Sequence, residues 1–367
     1  MKRVSLVQVG FGTVGGALIE QVIQNRPVWR ERFDIDVSIA AVAGRSGATV
    51  ADYGGELGDG ALRAIVEQRR SGGNLAASSH QASITTVLPG IAAAGPVIVL
   101  DAASGDSTAD IDVQALMLGA GVVLSNKAPL ALPSADPRSA TLWDQATSTG
   151  RLRYEATCGA GLPVISTLQS LLDTGDEITE ISGALSGTFG AIFSAVGAGV
   201  PFSKAVRDAK AQGYTEPDPR DDLSGLDVAR KGLILSRTMG KPVDLDDIVV
   251  HSLVPAHLQD VSIDEFMEQL SGQDLEIGRK AEEAIATDTS LKYIMSWTAD
   301  GGVTVGLRHV PRSTVLGALQ GPENIVSFRT HRYDQYPTVV SGPGAGAGVT
   351  AAGMIADMLL LAHRLAS

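Results

Sequence analysis

Between Gly213 and Lys231 the chain sets five carboxylates, Glu216, Asp218, Asp221, Asp222 and Asp227, ahead of one lysine, Lys231. A lysine oriented by a carboxylate can give or take a proton at an oxygen that alternates between hydroxyl and alkoxide, or stabilise that charge electrostatically. Pro217 and Pro219 hold the residues before them out of the helical region, which leaves Glu216 and Asp218 on extended backbone. The spacing then predicts a helix starting near Ser224, with that serine as N-cap. At 3.6 residues per turn Leu223, Asp227, Lys231 and Ile234 fall within roughly 80° of one another, so the Asp/Lys pair shares a stripe with apolar neighbours. Spacing alone also fits an ordinary i,i+4 helix salt bridge, worth about 0.3–0.5 kcal/mol.

The elements that would position such chemistry begin at the N-terminus. Val4–Val9 reads as a buried strand running into Gly10-Phe11-Gly12-Thr13-Val14-Gly15, after which Val14, Leu18 and Val22 recur at helical spacing. In this strand-turn-helix order Gly10 permits the tight turn, Gly12 a close approach of backbone to pyrophosphate, and Gly15 the packing of helix on strand. The second strand, Val37–Ala43, ends in Gly44-Arg45-Ser46, without the acidic residue that meets a free ribose 2′-hydroxyl. Arg45 and Ser46 suit a 2′-phosphate, which favours NADP, although a loop arginine facing solvent fits the position too. Val97–Asp101 is the next buried strand, and Ala103 and Ser104 beyond it are expected to border the nicotinamide half of the cofactor. Val122–Ser125 is another, ending in Asn126-Lys127.

These segments together resemble the homoserine dehydrogenases. The Tyr214-Thr-Glu216-Pro-Asp-Pro219 loop running into Gly225-Leu-Asp227-Val-Ala-Arg-Lys231 carries the likeness nearly residue for residue. Asn126-Lys127-Ala-Pro-Leu130, Tyr154-Glu155 through Pro163, and Gly183 through Thr188 extend it. One departure is visible, since the family commonly continues after the threonine with Asn and an aromatic residue where this chain has Phe189 and Gly190. The resemblance implies a Rossmann-type dinucleotide-binding domain with an α/β substrate and dimerisation domain, and NAD(P)-dependent interconversion of L-homoserine and L-aspartate 4-semialdehyde, in threonine, methionine and isoleucine biosynthesis. It further implies Lys231 as the main acid/base or electrostatic group, Asp227 orienting it, and Lys127 assisting near cofactor and substrate. Glu216 and Asp222 would take the substrate's α-ammonium group. A monovalent cation, usually sodium in the family, would sit on Glu155 and the main-chain oxygens of Cys158, Ala160 and Leu162. Gly346, in the Gly342–Gly348 run before a helix over Thr350–Leu365, would contact the cofactor. The family's dimer sheet would come from strands around Ser290–Val310, with a turn at Asp300-Gly301-Gly302, and a homodimer or dimer of dimers is expected.

Composition sets the outer bounds. The 367 residues suffice for two domains, expected at 1–150, completed by 340–367, and at 151–339. A net charge of -12 argues against nucleic acid or anionic membrane as partner, so an anionic cofactor must be held by local positive potential. The single cysteine, Cys158, excludes an intrachain disulfide framework. No charged-then-apolar leader opens the chain, and the Ile91–Leu100 apolar stretch is short and broken by Gly95-Pro96, so a cytoplasmic enzyme of a small-molecule substrate is expected. The six histidines form no HExxH signature. Two other readings stay open: a related Rossmann-type dehydrogenase acting on another semialdehyde or an imine, and a non-catalytic NADP-binding sensor, which would not need the Asp227/Lys231 pair.

Overall fold

The structure, a computed structural model, describes residues 1–45, 47–52, 55–73 and 83–365. The chain forms two compact units, Met1–Pro163 with Ala345–Ser367, and Val164–Gly344.

The first unit opens with β1 (Lys2–Val9), α1 (Thr13–Phe33), β2 (Ile35–Gly44), β3 (Gly47–Val50), α2 (Asp59–Arg70) and α3 (Ile84–Ala94). It continues through β4 (Val97–Asp101), α4 (Ala109–Met117), β5 (Gly121–Leu124), α5 (Pro137–Asp144) and β6 (Leu152–Arg153). Among the described residues its sheet has six strands in the order β3-β2-β1-β4-β5-β6. All pairs are parallel except β2 with β3. Every residue of β4 and β5 is buried, which is why these strands read as continuous apolar runs rather than alternating ones. The short antiparallel β3, folded back on β2 with Gly44 opposite Gly47, is not foreseen by the sequence reading. Four residues with a glycine at the turn give too little alternation to register as a strand.

The second unit holds α6 (Val164–Asp173), β7 (Ile178–Ala184), α7 (Gly187–Gly197), α8 (Phe202–Ala211), α9 (Pro219–Leu223), α10 (Leu226–Thr238) and β8 (Val249–Val250). There follow α11 (Ile263–Gln269), α12 (Asp274–Ala286), β9 (Thr289–Thr298), β10 (Gly302–Pro311), α13 (Val315–Ala318), β11 (Asn324–Thr330) and β12 (Thr338–Gly342). Its described strands run β12-β11-β7-β9-β10-β8, with β9 and β10 a hairpin as expected from Asp300-Gly301-Gly302. Helices α7, α10 and α12 pack on β9. Gly232 permits the close seat of α10, because a Cβ there would stand 2.7 Å from Val303 Cγ1 and 3.0 Å from Met295 Cγ.

The chain then returns to the first unit as α14 (Ala347–Leu365). Among the described residues this is the one helix long and apolar enough to cross a membrane. Its Met354, Met358 and Leu361 are buried in one cluster with Val4 and Leu6 of β1 and Leu18 and Ile19 of α1, so here it is a core helix.

One expectation is corrected. The helix of the acidic segment does not begin at Ser224; α9 and α10 are separate, and α10 starts at Leu226 behind Gly225. Asp218, whose side chain accepts from Arg220 N–H, and Pro219 at the first helical position start α9 on their own. Gly225, at φ 77°, then breaks the chain where a Cβ would meet Tyr293 Oη at 2.1 Å. Leu223 therefore belongs to α9 and not to the stripe carrying Asp227 and Lys231.

Candidate active site

In the first unit the glycine turn is shaped as a phosphate cradle. Gly10 has φ 97°, and a Cβ on it would stand 2.4 Å from the Ala102 carbonyl carbon and the Ala103 nitrogen. A Cβ on Gly15 would lie 2.3 Å from Gly10 O, whereas Gly12 has nothing within 4 Å. Gly12 caps α1 without a side-chain bond, and the first turn carries no acid, so the N–H groups from Thr13 and Val14 onward keep the positive end of the helix dipole uncompensated. Phe11 and Val14 pack against the core, and the Phe11 carbonyl accepts from Arg69 Nε at 3.0 Å. This cradle fits a dinucleotide pyrophosphate on its own geometry.

Gln8, buried at the end of β1, donates from Nε2 to Gly10 O at 3.2 Å and Gly15 O at 3.0 Å. The sequence reading treats it as a strand residue; a polar side chain in an otherwise apolar strand, just before the glycines, was the signal available. Gly10 N–H donates to Ala43 O at 2.9 Å, which brings the end of β2 to the turn, and Arg45 stands exposed at the tip of the β2/β3 hairpin. Ser46 lies outside the described residues.

Beyond β4, Ala103 N–H donates to Asp101 Oδ1 at 2.8 Å and leaves Ser104 exposed. Asn126 fastens the same corner: its Nδ2 reaches Asp101 Oδ2 (3.0 Å), Gly105 O (2.7 Å) and Thr108 Oγ1 (3.1 Å), and its Oδ1 accepts from Ala128 N–H. Lys127 follows on this fixed backbone, partly buried, its carbonyl accepting from Ala131 N–H. Asp112 is also buried here, and among the described residues no N–H or hydroxyl group donates to its carboxyl oxygens. Burial, and after it the neighbouring Asp101, push its carboxyl well above the usual range.

The Glu155–Thr157 turn is buried in the same unit. Asp357 of α14 accepts Glu155 N–H and Arg153 Nε, each at 2.8 Å. Ala160 takes a positive φ of 56°, and Gly353 of α14 approaches so closely that a Cβ there would lie 2.6 Å from Ala160 O. Cys158 is buried. Gly346 (φ 117°) accepts from Thr350 at the start of α14, and Gln21 of α1 donates to Gly348 O at 2.8 Å, which ties that glycine run to α1. Among the described residues no cluster of three or more His, Cys, Asp or Glu side chains could hold a metal, so a cation at Glu155 would rest on one carboxylate and main-chain oxygens. A hard, singly charged cation suits that donor set.

In the second unit Lys231 is buried, with Nζ 2.7 Å from Asp227 Oδ2 and donating to Leu185 O at 2.6 Å. Asp227 is about half exposed, at 45%. Asp222 accepts Thr188 Oγ1 at 2.9 Å and Glu216 N–H at 2.8 Å, and Thr188 also donates to Tyr214 O. Burial raises the Asp222 carboxyl above the ordinary carboxylate range, against the lowering by those two bonds, and the charges of Glu216 and Asp227 add to the rise. Glu216, Asp222 and Asp227 thus form one acidic group beside Lys231, with Glu216 exposed. Thr188 is the residue sequence reasoning left without a role. The departure at Phe189 and Gly190 has a packing reason: Phe189 stacks on Tyr293 with centroids 3.8 Å apart, and a Cβ on Gly190 would meet Gly321 O at 2.4 Å.

Two family models match, "Homoserine dehydrogenase" over residues 163–359 and "Homoserine dehydrogenase, NAD binding domain" over residues 10–155. A chloroplastic bifunctional aspartokinase/homoserine dehydrogenase 2 of Zea mays is 37% identical over 359 residues, covering 97% of this chain and 38% of the relative. The chain spans 38% of the length of that and the similar plant relatives. The homoserine dehydrogenase of Saccharomyces cerevisiae is 39% identical over 277 residues, 74% of this chain and 76% of the yeast protein. A crystal structure of a Candida auris protein of unknown function superimposes with TM-score 0.87 at 29% identity, covering 100% of this chain and 99% of that one.

Proposed function

We propose, from the premise that this chain belongs to the homoserine dehydrogenase family, that it interconverts L-homoserine and L-aspartate 4-semialdehyde with NAD(P). The observation that carries this reading is the buried Lys231 held by Asp227 and the Leu185 carbonyl beside a group of carboxylates, in a chain whose other unit holds a dinucleotide cradle.

A bound nicotinamide would supply the acceptor or donor of the hydride at the substrate's C4 carbon. The remaining task is one proton and one orientation. Lys231 stabilises the oxygen that alternates between alkoxide and hydroxyl and moves its proton, Asp227 holds its amine in place, and Lys127 assists. Glu216 and Asp222 receive the substrate's α-ammonium, whose charge offsets the burial, and the lesser repulsion from Glu216 and Asp227, that raise Asp222. Thr188 holds Asp222 in position. Gly10 through Gly15, Ala103, Ser104 and Gly346 bind the cofactor, and Arg45 favours NADP over NAD. Glu155, with the carbonyls of Cys158, Ala160 and Leu162, holds a monovalent cation, sodium by preference. The reading includes a homodimer or dimer of dimers, a cytoplasmic location, and a place in threonine, methionine and isoleucine synthesis.

The test is the initial rate of absorbance change at the reduced-nicotinamide band, with L-homoserine and NADP or NAD, for wild type and Lys231→Ala. Homoserine-dependent reduction that the substitution lowers by about 100-fold or more supports the reading. No turnover in either direction, with sodium or potassium added, would assign the chain to another semialdehyde or to cofactor binding alone.

A further inference from the structure

A cavity in the Val164–Gly344 unit has a charge that the proposed reaction does not use. It has a volume of about 400 Å³ and lies among α7, α12, the start of β9 and the turn that carries Arg312 to Leu319. Phe193, Ile285 and Leu291 supply apolar wall, while Lys292 and Arg312 supply two positive charges. Among the described residues no Asp or Glu lines it.

Lys292 is only 8% exposed, although it carries an ammonium group. Among the described bonds its Nζ donates to one carbonyl, that of Leu319, so two of its three N–H groups have no protein acceptor there. Arg312 donates from Nε to Thr289 O at 3.1 Å, which fixes the guanidinium at the same mouth. Arg308 faces Lys292 across the β9/β10 register but is exposed and lines a different cavity, so the charges of this one are Lys292 and Arg312. Buried charges are ordinarily paired, and like charges opposed across a ladder destabilise it. Burial and Arg312 together hold the Lys292 ammonium below its usual range, which is the signature of a cation with a like charge beside it and no counter-ion. In a chain of net charge -12 such a site is conspicuous, and its volume falls within the range of small-molecule pockets.

We propose that this cavity binds a small organic carboxylate, with the anionic end on Lys292 and Arg312 and a short aliphatic body against Phe193, Ile285 and Leu291. A monoanion matches the apolar share of the wall better than a fully hydrated phosphate, whose every oxygen needs a donor. The site is separate from Lys231, Asp227, Glu216 and Asp222, none of which lines it.

The experiment is isothermal titration calorimetry of the full chain with 3-methylbutanoate, its neutral amide and inorganic phosphate, at constant sodium concentration. Wild type is compared with Lys292→Met and Arg312→Gln. The expected result is saturable binding of the carboxylate to wild type, weakened about tenfold or more in each variant, as loss of a charge-assisted bond requires. Arg312 is exposed, so Arg312→Gln reports even if Lys292→Met disturbs the turn at Leu319; near-ultraviolet circular dichroism checks that each variant keeps its packing. Absence of binding, wild-type affinity in both variants, equal binding of the amide, or tighter binding of phosphate overturns the proposal. None of these outcomes bears on homoserine oxidation, which is measured separately.

Discussion

Asp357, near the end of the chain, accepts the backbone N–H of Glu155 at 2.8 Å across 202 residues of sequence. The same carboxylate pairs with Arg153, so one buried side chain of α14 fixes both the last strand of the first sheet and the turn proposed to hold a cation. Asp357→Ala leaves Arg153 and the Glu155 N–H without their acceptor. The expected loss is about 3 kcal/mol, the lower end for breaking a buried ion pair by removing one partner. Urea unfolding of wild type, Asp357→Ala and Asp357→Asn checks it: the asparagine variant, which keeps a carbonyl acceptor, falls between the other two. Equal midpoints for all three would show that the contact contributes nothing.

Asp227 is half exposed while its partner Lys231 is buried, which makes its replacement tolerable to the fold. Asp227→Asn removes the charge and keeps the shape. Turnover should fall about 100-fold, within the range of a positioned proton-transfer group, with cofactor affinity little changed. Steady-state rates alongside fluorescence titration of NADPH separate the two quantities. A variant with wild-type turnover reduces the pair to a helix salt bridge.

Arg45 stands at the tip of the β2/β3 hairpin, next to the strand end that bonds to Gly10. Arg45→Ala should raise the KM for NADP about tenfold or more, the worth of a charge-assisted contact to phosphate, and leave the KM for NAD unchanged. Equal effects on the two cofactors would place the arginine's role in folding.

Asp112 makes stability depend on pH. Its carboxyl is held well above 3.8 by burial and by Asp101, so the folded state keeps a proton that the unfolded state releases. Its contribution is fully present below about pH 4 and is lost as pH rises through the folded value. Asp112→Asn cannot ionise and should flatten this dependence. It should match wild type near pH 4 and exceed it at pH 8, by about 1.4 kcal/mol for each unit separating the folded and unfolded values. Asp101 is itself raised by burial, against the bonds from Thr108, Ala103, Asn126 and Asp112, so the difference between the two proteins reports the coupled pair. Parallel stability curves across that range would refute the upward shift of this carboxyl.

Features set by short spacing were legible in the sequence alone. The glycine turn, its helix, the strands with apolar runs and the hairpin at Asp300-Gly301-Gly302 depend on backbone sterics and hydrophobic period within a few residues, and the structure places them as read. The Asp227/Lys231 contact is likewise an i,i+4 matter. The sequence could not say that α10 starts behind Gly225, since the left-handed φ there answers to Tyr293, 68 residues later. Nor could it supply the partners from other elements: the Leu185 carbonyl on Lys231, Thr188 on Asp222, and Asp357 on Glu155. A hydrogen bond needs its two atoms within about 3 Å, and for residues far apart in the chain only packing of elements decides which carbonyl or carboxylate arrives there. Burial follows the same rule. Lys231, Lys292 and Asp112 are ordinary charged residues in the sequence, and the tertiary fold alone removes them from water and so gives them their chemistry.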